Sequence, residues 1–198
     1  PSRWVFQEAR AGWVNHELQT YVKGASPKGR KVAECKKGKL RIYTFREGDK
    51  IYSGRLYGNR SEGFKYGYIE ARIKLPKGKG TWPAWWMMPV SGGRWPACGE
   101  IDIMEFYRIK GVPHILANAA WGTDRRYNAK WDSQAVPFKH FTDKNPDWAS
   151  EFHVWRMDWD EEAIRLYLDD ELLNETLLSE TINGSIGHGR NPFRQPHY

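Results

Sequence analysis

The stretch Trp95-Pro96-Ala97-Cys98-Gly99-Glu100-Ile101-Asp102-Ile103-Met104-Glu105 decides how this chain folds. From Glu100 to Ile103 carboxylates and apolar residues alternate, the period of two expected of a strand with one polar and one apolar face. Strict alternation places Glu100, Asp102 and Met104 on one face and Ile101, Ile103 and Glu105 on the other. Burying a lone carboxylate among isoleucines is costly, so a β-bulge around Ile103-Met104 is expected to insert one residue and return Glu105 to the face of Glu100 and Asp102. Same-face neighbours on a strand are roughly 6.6 Å apart along the chain, and a concave sheet draws their tips closer. Three carboxylates on one surface then act as one electrostatic unit, in which like charges push the proton affinities apart. The apolar neighbours and the nearby tryptophans argue against an exposed acidic edge. A hard-cation site is the remaining alternative, although such sites more often draw on loops and backbone carbonyls.

Outward from this segment, short apolar or alternating runs are punctuated by Gly, Pro, Asn and Asp, the pattern of an all-β sandwich or barrel. Strands are expected at 17–22, 31–35, 39–45, 51–57, 64–75, 81–88, 99–106, 114–121, 152–159, 163–169 and 171–177. Lys37-Gly38, Asp160-Glu161-Glu162 and Asp169-Asp170 read as tight reversals between antiparallel neighbours. The stretch 122–150 lacks clean periodicity and reads as a long surface insertion, the kind of loop that is functional or mobile. No repeat or linker interrupts residues 1–198, so one domain is expected, with terminal strands trimmed at both ends.

The 198 residues include 11 Trp and 10 Tyr, flat apolar faces with polar handles that suit ring-shaped polar ligands such as sugars. No run of 18 apolar residues and no signal-peptide pattern is present. The formal charge of +7 is carried by dispersed Lys and Arg without a nucleic-acid motif, which leaves a solvated surface or an anionic glycan as its reading. Cys35 and Cys98 are expected to be free, buried thiols. The six His lack metal-ligand spacing, and no nucleotide-binding glycine motif or Ser-His-Asp assembly is evident.

The Glu-x-Asp-x-x-Glu motif of WPACGEIDIME, preceded by GYIEARIKLPKGKGTWPAWWMMP and upstream by NHELQTYV and SGRLYGN, resembles glycoside hydrolase family 16, especially its laminarinase and mixed-linkage glucanase branch. The resemblance spans nearly the whole chain and is specific as an assembly. It implies an all-β jelly-roll sandwich of two antiparallel sheets with a concave substrate cleft. It implies Glu100 as nucleophile, Glu105 as general acid/base and Asp102 between them, tuning the row. The two-carboxylate retaining mechanism needs the outer pair about 5–5.5 Å apart. No cofactor is required; a structural Ca²⁺ is an option the family offers, although the terminal residues that would hold it are largely absent. Many relatives place a His on the next strand beside the acid/base, where ILANAAWG offers Asn118 and Ala120. A secreted, periplasmic or cell-surface setting also follows from the resemblance.

Candidate sugar contacts are Trp86 and Trp82, which alternation places on one face of TWPAWWMM while Trp85 turns to the core. Trp95 and Trp121 are placed at a cleft rim, Arg55 as a five-donor hydroxyl or acid clamp, and Asn15 at the cleft edge. Trp155 and Trp159 read as core. The expected partner is a polysaccharide rather than nucleic acid, and the expected state a monomer. The preferred reading is endo-hydrolysis of β-1,3 or mixed β-1,3/1,4 glucan. A β-galactan, including sulfated or mucin-type chains, is the alternative within the class. A non-catalytic lectin-like module is the alternative outside it, against which the full carboxylate row speaks.

Overall fold

The computed structural model describes residues 3–198, which divide into two compact units, one ending at Glu62 and the other running from Gly63 to Tyr198. The first unit contains β1 (Trp4–Phe6), β2 (Gln19–Tyr21), β3 (Ala33–Lys36), β4 (Lys39–Ile42), β5 (Thr44–Glu47), β6 (Lys50–Ser53) and β7 (Leu56–Gly58). β3 and β4 form a hairpin, β1 pairs with β7, and a third sheet has the order β2-β6-β5. The β2–β6 pair is parallel, so not every neighbour in the chain is antiparallel. Lys37 and Gly38 both take positive φ, 51° and 71°, which is the two-residue turn that matches strand twist. Tyr43 separates β4 from β5, and Gly54-Arg55 separates β6 from β7, so two long expected strands are each two short ones. Val32, Phe45 and Tyr52 form the small core of this unit. Cys35 is exposed on β3, contrary to the buried thiol expected, whereas Cys98 is buried; both are free. The hairpin explains the exposure: β3 pairs only with β4 and lies outside that core.

The second unit is a sandwich of two four-stranded antiparallel sheets. One has the order β12-β11-β10-β9, built from β9 (Ala84–Met87), β10 (Glu100–Ile109), β11 (Val112–Gly122) and β12 (Ala129–Pro137). The other has the order β15-β14-β13-β8, built from β8 (Gly67–Ile73), β13 (His153–Trp159), β14 (Ala163–Leu168) and β15 (Glu171–Leu177). Their facing sides supply one core: Ile101, Ile103 and Phe106 of β10, Ile115, Ala117 and Ala119 of β11, Trp155, Met157 and Trp159 of β13, and Ile164, Leu166 and Leu168 of β14. Every second residue of β13 is buried from His153 to Trp159, which is the alternation the sequence displayed. Trp155 and Trp159 are therefore core, as read from the sequence.

The stretch 122–150 is not a surface insertion. Its middle is β12, paired with β11 from His114↔Pro137 to Gly122↔Ala129. Its end folds under the sandwich, where Phe138, Phe141 and Trp148 join the core and Trp148 stacks on Phe141 and on His153. The strand was hidden because its inward positions are mostly polar: Asn174 of β15 donates to the Asp132 and Ala117 carbonyls there, replacing apolar packing. The last residues, Pro196 to Tyr198, hydrogen-bond like a strand, with His197 pairing to Phe64 and Tyr198 to Met88. Among the described residues no helix is long and apolar enough to cross a membrane.

Candidate active site

The site is the face of β10 that points away from the core. Against β11 the register passes from Asp102↔Asn118 to Glu105↔Leu116, so Ile103 and Met104 together oppose Ala117 alone. Against β9 it passes from Asp102↔Trp86 to Met104↔Trp85, again with one residue extra on β10. This is the expected bulge, and it brings Glu105 back to the face of Glu100 and Asp102 while Ile101, Ile103, Met104 and Phe106 stay buried. Gly99 sets the strand's entry: its φ of +87° is left-handed, and a Cβ there would meet Pro192 at 2.8 Å.

Side chains of neighbouring strands line up with the carboxylates in three rows. Trp86, Asp102, Asn118 and Ser133 occupy the middle row across β9 to β12. Glu100, Ala120 and Trp131 form the row on one side; Ala84, Glu105, Leu116 and Ala135 form the row on the other.

Each glutamate is held by an indole. Trp95 Nε1 donates to Glu100 Oε2 at 2.9 Å, and Trp82 Nε1 donates to Glu105 Oε1 at 2.8 Å. Glu105 Oε2 also accepts from Asn118 Nδ2 at 2.7 Å, and Ser133 Oγ donates to Asn118 Oδ1. An ionised Glu105 only accepts, so it takes the N–H end of the amide, and the Ser133 hydroxyl donates to the Oδ1 end that remains. Asp102 is 3% exposed and its Oδ2 has no hydrogen-bond partner.

Burial is the leading cause that raises the proton affinity of both inner acids. Asp102 is pushed well above the ordinary carboxylate value, first by burial, then by the charges of Glu100 and Glu105, and further by hydrogen bonding to Glu100. Glu105 is also raised by burial, opposed by the bonds from Trp82 and Asn118 that favour its ionised form. The sequence reading had assigned the shifts to like-charge repulsion; that contributes at Asp102, but desolvation comes first at both.

Trp82, Trp86 and Trp95 thus lie with the carboxylates, and Trp85 packs on the core as alternation predicted. Trp82 is 49% exposed and meets Tyr107 edge-on. Trp121 does not line the site. It faces the sandwich interior at 3% exposure, edge-on to Phe193, because Ala120 takes the outward position opposite Glu100. The tryptophan that does stand beside Glu100 is Trp131 on β12, 45% exposed and 6.4 Å from the Trp95 ring. Trp131 and Ser133 were missed because β12 was not recognised; the spacing of Trp131, Ser133 and Ala135 was the available signal. Asn15 and Arg55 belong to the first unit. Asn15 is exposed in a turn where Val14 has a φ of 52°, and Arg55 donates to Gln7 Oε1 at 2.8 Å and lies over the Trp13 and Tyr21 rings. No three His, Cys, Asp or Glu among the described residues gather as a metal-ligand set.

The chain is similar in sequence and in fold to known proteins. The sequence profile of glycosyl hydrolases family 16 matches residues 28–196. The chain belongs to glycoside hydrolase family 16. A glucan endo-1,3-beta-glucosidase of Cryptopygus antarcticus is 32% identical over 202 residues, covering 96% of this chain and 70% of that protein. A beta-1,3-glucan-binding protein of Penaeus monodon is 36% identical over 126 residues, covering 62% of this chain and 34% of that one. Among solved structures, a family 16 endo-glucanase of Bacteroides ovatus, in complex with G4G3G-2F-DNP, superposes with a TM-score of 0.78 at 28% identity, covering 99% of this chain and 78% of that one. The family 16 fold of these proteins is the jelly-roll sandwich described above.

Proposed function

We propose that this family 16 chain is a retaining endo-β-glucanase acting on β-1,3 or mixed β-1,3/1,4 glucan, with Glu100 as nucleophile and Glu105 as general acid/base. The observation that carries the reading is the bulge, which sets three carboxylates on one face with a different environment for each. Glu100 attacks the anomeric carbon while Glu105 gives its proton to the glycosidic oxygen, breaking that bond and leaving a glycosyl ester on Glu100. Glu105, now ionised, takes a proton from water; the water oxygen attacks the same carbon and displaces Glu100 with net retention. Burial and the charges of its neighbours raise the proton affinity of Asp102, which favours its neutral form and so limits the charge collected in the row. The bonds from Asn118 and Trp82 stabilise Glu105 in the ionised form it takes after the first step. Trp86, Trp95 and Trp131 supply aromatic surface for sugar rings around this row.

The relatives named for endo-1,3-glucan hydrolysis support the substrate class. The relative named for glucan binding keeps a second reading alive, that of a sugar-binding domain without turnover. A binder has no use for a buried acid whose proton affinity is raised, so the row favours the enzyme. A polymeric substrate fits a secreted, periplasmic or cell-surface setting, and nothing in the mechanism requires more than one copy of the chain. Incubation with laminarin, mixed-linkage glucan and β-galactans, with product sizing, tests the reading. Mixed oligosaccharides from the first two are expected; release of only monosaccharide or disaccharide from chain ends, or no cleavage of either glucan, would contradict it.

A further inference from the structure

A cavity of about 610 Å³ opens between the 91–98 segment that leads into β10 and the 183–195 segment. Its lining carries Arg94, Arg190 and His188 and no carboxylate. The amide side chains in the wall are committed elsewhere. Asn183 Nδ2 donates to Ala97 O at 2.8 Å and its Oδ1 accepts from Gly122 N at 2.6 Å. Asn191 Oδ1 accepts from Phe193 N at 3.0 Å, and Gln195 Nε2 donates to Cys98 O at 3.2 Å. The carboxylate of Asp124, just beyond the lining, is engaged by Ser185 N at 2.7 Å. Gly187 lies so close to Asn183 that a Cβ would come within 2.4 Å of it, so this part of the wall is already packed. The side chains of Arg94, Arg190 and His188, by contrast, make no described hydrogen bond or ion pair.

We propose that this cavity receives an anionic substituent, sulfate or carboxylate, carried by the glycan that the neighbouring carboxylate row cleaves. The proposal rests on the glucanase reading above and adds to it a preference for charged chains. Like charges lining one cavity without a counter-ion stabilise an anion, and arginine forks match the oxygens of carboxylate and sulfate in paired hydrogen bonds. The position is what makes a substituent, rather than a free ion, the occupant. Arg94 is the chain neighbour of Trp95, whose indole holds Glu100, so the cavity wall begins one residue from the hydrogen-bond partner of the nucleophile.

The test compares unsubstituted, sulfated and carboxymethylated β-1,3-glucan of matched length as substrates of the wild type and of the Arg94→Ala/Arg190→Ala variant. The wild type is expected to show kcat/KM about tenfold higher on one of the charged polymers, the gain of a charge-assisted contact at a partly screened site. Which charged polymer gains identifies the group. The double variant should lose that preference and keep its activity on unsubstituted glucan; Arg94→Lys/Arg190→Lys should keep part of it, as charge without the fork. Equal activity on all three polymers in the wild type, a preference that survives in the alanine variant, or equal losses on charged and neutral glucan would overturn the proposal. Should none of the polymers be cut, the glucanase reading fails, and calorimetric binding of the same three oligosaccharides decides the cavity separately. Free sulfate binding with the same loss in the variant, but no preference among the glycans, would also count against a substituent.

Discussion

Asn118→Ala is the perturbation that most sharply separates the acid from the rest of the row. The amide is buried, donates to Glu105 Oε2 at 2.7 Å, and is itself oriented by Ser133. Its bond lowers the proton affinity of Glu105 against the burial that raises it, and it lowers that of Asp102 too. A hydrogen bond to a charged group contributes about 1.5–3 kcal/mol. At 1.36 kcal/mol per pH unit, its loss moves the titration up by about 1–2 units. Glu105 must be protonated in the first step, so a higher proton affinity keeps it competent to higher pH. The alkaline limb of kcat/KM on laminarin, measured by reducing-end release from pH 4 to 10, should therefore move up by about that amount. kcat at the optimum should fall about tenfold to a hundredfold, since the carboxyl loses one of its two positioning contacts. Ser133→Ala should move the limb the same way by less, because the amide stays but loses the contact at its Oδ1 end. A folded Asn118→Ala protein whose alkaline limb stays in place or moves down would refute the assignment of Glu105.

Two further outcomes follow from the same face. Trp131→Ala should weaken oligosaccharide affinity by about 1–2 kcal/mol with little change in stability, whereas Trp121→Ala should lower stability by about 3–5 kcal/mol through an internal cavity; calorimetric titration and urea unfolding would expose the reverse pattern if Trp121 were the contact. Asp102→Asn should raise the urea midpoint at pH 7. The folded value of Asp102 is raised, so the native state holds a proton more tightly than the unfolded chain, and stability falls as pH rises from the ordinary carboxylate value through the raised one. Removing the charge should flatten that fall, and a lower midpoint with the same pH slope would contradict it.

The parts of the fold legible in the sequence are those where one face is apolar throughout. β10, β13 and β14 each turn one apolar side into the sandwich core, and the bulge was forced by a carboxylate that could not share a layer with Ile101 and Ile103. β12 was illegible because it is an edge strand whose inner positions are met by the Asn174 amide. That omission carried Trp131 and Ser133 out of the site and made Trp121 look available. The outward placement of a residue two positions before or after a known one is reliable on a strand; what decided Trp121 was its odd separation from Asn118 and Ala120, which sets it on the core side. The Asn118 amide is held between a carboxylate 13 residues before it and a hydroxyl 15 residues after it in sequence, and no local pattern encodes that pairing.

The most direct test of the central claim is the product formed by Glu100→Ala with an activated β-glycoside and sodium azide. With Glu100 absent and Glu105 in place, azide occupies the space the nucleophile vacated and attacks the anomeric carbon from its side, so proton NMR of the product should show an α-glycosyl azide. A β-glycosyl azide, or turnover at the wild-type rate without azide, would show that Glu100 is not the nucleophile.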